Sequence, residues 1–226
     1  MKNSIEKIII GKSCNNIDIE MFHLSKGPKT ILLISGVHGD EAEAIDVLDF
    51  FIKEEIYEQF EGVCSIFAIP KLNPDGCFLK TRQNLNGVDL NRNMPTKDWD
   101  PKAHKEKYNP GKVSGSEPET KALINVIETL NPFCIISFHT YKPMVNYNGP
   151  SKGLAKVISE EIGYISVSDI GYPTPGSLGT WAGHERSMPT ITFEIERGIG
   201  GKKAWERVRK SIISGITFVC KNEDLS

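Results

Sequence analysis

A histidine and a glutamate stand three residues apart in Ser35-Gly36-Val37-His38-Gly39-Asp40-Glu41, just past the apolar run Thr30–Ile34. An imidazole and a carboxylate at this spacing, on a glycine-bearing turn, can converge on one cation. A second imidazole, His139, closes the apolar run 133–138, and Glu194 and Glu196 lie in the run Thr190–Glu196. Two His and one Glu around an open position form a catalytic zinc set, the fourth place being left to water. A nearby carboxylate is then needed to move the proton from that water to the leaving amine. Glu194 and Glu196 share a strand face by the period of two, so spacing leaves both open as that carboxylate. The polar stretch 73–115 adds Arg82, Asn84, Asn86, Asp89, Asn91, Arg92 and Asn93. Guanidinium groups suit bidentate capture of a carboxylate and stabilisation of an oxyanion.

The elements that must carry these residues are those of an α/β fold. Runs 30–37, 63–72 and 133–138 are dominated by apolar residues, as in strands covered on both faces, and Thr190–Glu196 reads as the last strand. Chemistry is expected at their carboxyl ends, where open α/β sheets leave a crevice. A leading hairpin is predicted from Ser4–Lys12 and Ile17–Lys26, and a further strand over Tyr164–Ile170. Helical stripes are read in 40–60, in 152–162 and in the C-terminal segment through Trp205, Val208, Ile212, Ile216 and Val219. Ser116-Glu117-Pro118-Glu119 reads as a capping box opening another helix that ends at Asn131-Pro132. The stretch 73–115 is too long for a connector and reads as a functional loop.

Composition sets the outer limits. The 226 residues carry 39% apolar and 25% charged residues and a net charge of −2, ordinary for one globular domain spanning 1–226. No basic block favours nucleic acid or an anionic membrane, and residues 1–30 read as neither a signal peptide nor a membrane helix. Five scattered cysteines without Cys-x-x-Cys point to free thiols and a cytoplasmic setting.

Six motifs in order resemble the zinc carboxypeptidases. They are 36–41, Asn73-Pro74-Asp75-Gly76, Thr81-Arg82, Gly87-Val88-Asp89-Leu90-Asn91-Arg92-Asn93, Ser137-Phe138-His139-Thr140 and Thr192-Phe193-Glu194. Within that family the chain looks most like the murein peptide amidases, through the Arg82–Asn93 stretch, Ser116–Thr120 and Tyr172–Ser177. The resemblance implies a mixed, mostly parallel twisted sheet of about eight strands flanked by helices, and one zinc per chain. It matches His38, Glu41 and His139 to the metal ligands and Glu194, not Glu196, to the general base. Arg82 matches the group that polarises the scissile carbonyl. Asn91 and Arg92 match the pair that binds the substrate carboxylate, and Asp89 a carboxylate that orients a ligand histidine. Tyr172 matches a capping tyrosine, and Gly179 the floor of the side-chain pocket, where glycine would leave room. His23, His104 and His184 match nothing and read as surface or packing residues.

The function so implied is hydrolysis of a small peptide, the γ-D-glutamyl–diaminopimelate amide of murein tripeptide, in cell-wall recycling. A shorter chain without the digestive enzymes' pro-segment or disulfide fits that better than secreted digestion. An N-acyl amino acid deacylase of the aspartoacylase or succinylglutamate desuccinylase type is the alternative. A metal-free binding module on the same fold is disfavoured, because ligands, arginines and base occur together.

Overall fold

The computed structural model describes residues 5–102 and 105–226; Ser4, at the start of the expected hairpin, and His104 lie outside them. The chain begins with β1 (Glu6–Lys12) and β2 (Asp18–Ser25), then β3 (Lys29–Ile34), α1 (Ala42–Lys53), β4 (Cys64–Ile69) and α2 (Pro74–Leu79). It continues with α3 (Pro118–Leu130), β5 (Cys134–Tyr141), β6 (Met144–Asn148), α4 (Lys152–Ile162), β7 (Ile165–Val167), β8 (Thr190–Glu196) and α5 (Gly201–Lys221). The strands form one eight-stranded mixed sheet in the order β1-β2-β4-β3-β5-β8-β6-β7. Its centre, β4-β3-β5-β8, is parallel, while β2 meets β4, and β6 meets β8, in antiparallel fashion. The expected α/β architecture is the one found.

The apolar runs reflect cover on both faces. Ile31 and Leu33 of β3 join a core with Leu48 and Phe51 of α1, Ile158 of α4 and Trp205 and Ile212 of α5. Leu32 and Ile34 point the other way, to Leu123 and Ile127 of α3 and to Trp181. Successive side chains of a strand alternate faces, so a strand buried on both must be apolar throughout.

Local signals fared unevenly. The capping box does not form: Pro118 opens α3, Glu117 is its cap residue without a side-chain cap bond, and Ser116 Oγ donates to Glu117 instead. Within 73–115 the Asn73 side chain accepts from Gly76 N at 2.9 Å and starts the short α2. β5 runs to Tyr141, so His139 sits inside the strand rather than beyond it.

The expectation of free thiols is also corrected, because Cys64 of β4 and Cys220 of α5 are bridged, their Cα atoms 6.0 Å apart. Residues 156 apart in sequence meet only because α5 packs back over the sheet, which cysteine spacing cannot reveal. Cys14, Cys77 and Cys134 remain free. A thiol-reactive chromophore should therefore titrate three cysteines in protein denatured without reductant and five after reduction. Five before reduction would exclude the bridge.

Candidate metal centre and active site

Two glycines let the turn after β3 approach the segment after β4. Gly36 has φ +62°, and a Cβ there would sit 2.8 Å from Lys71 Cα. At Gly39 a Cβ would fall 1.9 Å from the Gly76 carbonyl carbon, an overlap no side chain survives. The close approach is pinned by Gly39 N donating to Thr81 O at 2.9 Å. His38 and Glu41 thereby face β5, where His139 stands beside Glu194 in the β5–β8 register.

These side chains meet. His38 Nδ1 lies 2.9 Å from Glu41 Oε1, His139 Nδ1 lies 3.0 Å from Glu41 Oε2, and the two Nδ1 atoms are 3.2 Å apart. All three residues are buried. Such separations approach the edge of a tetrahedron with zinc–ligand bonds of about 2.0–2.2 Å, and the donor set suits that ion. The outward ring nitrogens are tied down: His38 Nε2 to Asp89 Oδ1 at 3.0 Å and His139 Nε2 to Ser137 Oγ at 3.1 Å. These bonds leave Nδ1 of each ring turned inward, the arrangement that fixes a ligand histidine. Glu41 Oε2 also accepts from Thr140 N at 3.1 Å.

Charge follows geometry. Burial opposes a proton on His38, but Glu41 and Asp89 outweigh it and push its pKa up to about 9. Burial also works against ionised Glu41 and Asp89, yet His38 with His139 holds the former, and His38 with Arg82 and Arg92 the latter, well below the usual carboxylate range. Arg82 donates from Nε to Asp89 Oδ2 at 2.9 Å and reaches 3.6 Å from Glu41 Oε1. Its guanidinium carbon and that of Arg92 lie 5.2 and 5.3 Å from the centre of the Tyr108 ring.

A cleft of about 900 Å³ opens over this centre. Glu194, Arg82, Asn91, Arg92, Tyr172 and Gly179 all line it; buried Asp89 supports it from behind. Glu194 Oε2 is buried and finds no hydrogen-bond partner among the described residues. Burial and the charge of Glu41 raise its pKa. Glu196, two residues on, is paired with Arg207 of α5 and does not line the cleft. Asn91 Oδ1 accepts from Leu178 N at 2.9 Å, fastening the helical turn Gly179–His184 to the loop. Tyr172, 41% exposed, stands at the cleft wall. The room expected above Gly179 is filled: a Cβ there would meet Asn148 Oδ1 at 2.3 Å.

Sequence reasoning passed over several cleft residues, Asn148, His184 and Arg197 among them. Asn148 arrives on β6, a strand whose polar Asn146-Tyr147-Asn148 gives no apolar run. His184, exposed as expected, nevertheless lies in the cleft wall with Nε2 2.8 Å from Asn148 Nδ2. Arg197 follows the last strand as an unremarkable Glu-Arg-Gly end, yet it too lines the cleft. His23 is the packing residue expected, stacked on Phe67 with ring centres 4.2 Å apart.

A second group, Cys14, Glu117 and Glu119, also brings possible ligand atoms together. Its carboxylates are already served: Asn84 Nδ2 donates to both glutamates at 2.8 and 3.0 Å, Asn86 Nδ2 to Glu117, and Cys14 N to Glu119. Burial and these carboxylates push the Cys14 thiol up to about 12, so thiolate is not on offer. This cluster clamps the loop to α3.

Zinc affinity, measured by chelator competition, should fall at least about a hundredfold in His139→Ala, and about 10- to 100-fold in Asp89→Asn. Cys14→Ser should leave it unchanged. With His38 raised to about 9 in the metal-free protein, protons compete with metal throughout the neutral range. Affinity should therefore rise about tenfold per pH unit towards 9 and then flatten. A level profile from pH 6 to 8 would contradict the placement of His38.

The zinc carboxypeptidase family profile matches residues 1–222 of the chain. Murein peptide amidase A of Vibrio campbellii (strain ATCC BAA-1116) is 35% identical over 176 residues, covering 73% of this chain and 68% of that protein. Its namesake from Escherichia coli (strain K12) is 32% identical over 179 residues, 73% and 70% of the two chains. In three dimensions the crystal structure of murein-tripeptide amidase MpaA from Escherichia coli O157 matches with a TM-score of 0.78 and 26% identity, over 96% of this chain and 92% of that one. Carboxypeptidase A from Helicoverpa armigera shares the fold, with a TM-score of 0.81 at 14% identity over 98% and 70% of the chains. Sequence, fold and the His–Glu–His group agree: the chain is a hydrolase and belongs to the zinc carboxypeptidase family.

Proposed function

We propose that the protein hydrolyses the amide between γ-D-glutamate and meso-diaminopimelate in murein tripeptide, using one zinc held by His38, Glu41 and His139. The observation that carries this reading is the cleft itself, which that group lines together with Glu194, whose Oε2 has no partner among the described residues, and with two arginines over Tyr108. Likeness to proteins named murein peptide amidase supports the choice of substrate. One domain over 1–226 carries the reaction, which we place in the cytoplasm.

Zinc at such a site supplies Lewis acidity and a water of lowered pKa. Glu194 is the general base: its buried Oε2 accepts the water proton and later gives it to the leaving amine. Burial raises its pKa, which makes it a stronger base than an ordinary carboxylate. Arg82, anchored on Asp89, turns its remaining donors to the carbonyl oxygen as negative charge grows there. Asn91 and Arg92 hold the carboxylate of the leaving amine, with the Asn91 side-chain carbonyl committed to Leu178 N. Tyr172 covers the mouth. Gly179 and the Asn148 amide over it form the floor, met by the far arm of diaminopimelate.

Mass spectrometry should detect free diaminopimelate when the zinc-loaded protein meets L-Ala-γ-D-Glu-meso-diaminopimelate. Cleavage of acetyl-aspartate, with the tripeptide untouched, would transfer the case to the deacylases. Glu194→Gln should keep its zinc and lose at least about a hundredfold in kcat, whereas Glu196→Gln should be mild because that side chain serves Arg207. The base acts only when deprotonated. The acid limb of the rate profile should therefore report its protonation, with burial raising its pKa and the bound cation lowering it. An unchanged limb in the residual activity of Glu194→Gln would assign it elsewhere.

A further inference from the structure

Arg197 has no part in the scheme above, yet it lines the same cleft three residues beyond Glu194. It donates through Nε to Thr140 O at 3.3 Å and through Nη1 to Asp40 Oδ2 at 3.2 Å. Nη2 lies 3.8 Å from Glu41 Oε1. Arg82 and Arg92 are held elsewhere, over Tyr108. Glu41 is therefore approached by cations with different supports, Arg82 on the Asp89 side and Arg197 on the Thr140 side.

The Arg197 side chain is 47% exposed, and water screens its pair with Asp40 too strongly for that pair to keep a substrate carboxylate away. Asp40 offers a complementary feature, since its Oδ1 is buried and without a partner among the described residues. A cation with spare donors thus stands beside an acceptor lacking a donor. That pair matches a carbon bearing both a carboxylate and an N–H.

We infer that Arg197 and Asp40 read the acyl side of the scissile amide, Arg197 binding a free α-carboxylate on the donor residue and Asp40 the adjacent N–H. An ordinary peptide offers no such carboxylate, because the bond consumes it. An amide made through a side-chain carboxyl keeps it. The pair therefore selects side-chain-linked amides over α-peptides. This rests on the proposed amide hydrolysis and names what that site demands of the donor.

The experiment compares L-Ala-γ-D-Glu-meso-diaminopimelate with the same peptide carrying an α-carboxamide on its D-glutamyl residue. Wild type should favour the carboxylate by about tenfold or more in kcat/KM. Arg197→Gln, with zinc content verified, should bring the ratio close to one, and Arg197→Lys should keep part of it because the charge remains. A wild-type ratio well under ten, or one that survives Arg197→Gln, overturns the inference while leaving amide hydrolysis standing. Release of diaminopimelate from neither peptide by wild type overturns both.

Discussion

Two imidazole nitrogens and the two oxygens of Glu41, buried together with contacts of 2.9–3.2 Å, impose the constraint on which the rest of this structure depends. Their lone pairs point at a common centre, and away from water such a meeting is repulsive unless positive charge sits among them. A shared proton is the weaker answer and a divalent cation the stronger. The surroundings are built accordingly: Asp89 and Ser137 fix the two rings from behind, and Thr140 N fixes Glu41. Asp89 and Thr140 are 51 and 99 residues from the groups they hold, so the centre exists only once the sheet is formed.

The sheet supplies the precision. Parallel pairing of β3, β5 and β8 brings His38, His139 and Glu194 to one edge from three distant segments. Cover on both faces keeps those strands from shifting, because a slip of one residue would turn every apolar side chain to the wrong core. The irregular loop then delivers Asp89, Asn91 and the arginines, held by bonds from Asn84, Asn93 and Asn109 rather than by regular structure.

Much of this was legible in the sequence where chemistry and local order coincide. His38 and Glu41 are visible because they share a turn, and the central strands because burial on both faces leaves unbroken apolar runs. The choice between Glu194 and Glu196 was not legible from the period of two; it depends on Arg207, brought in by α5 to take the second carboxylate. Asn148, Arg197 and the Cys64–Cys220 bridge were hidden because each depends on which segments become neighbours. The capping box misled in the opposite way: Ser116 and Glu119 have the right types and spacing, but Asn93, Asn84 and the Cys14 backbone offer them better partners.

The central claim is that one cation resolves the meeting of His38, Glu41 and His139. A crystal of zinc-loaded protein, with diffraction recorded on both sides of the zinc absorption edge, tests it most directly. The account predicts a single strong anomalous peak within bonding distance of both Nδ1 atoms and Glu41, with Asp89 still on the far side of the His38 ring. A peak at Cys14, Glu117 and Glu119 instead, or none while the two imidazoles remain bonded to each other, would contradict it.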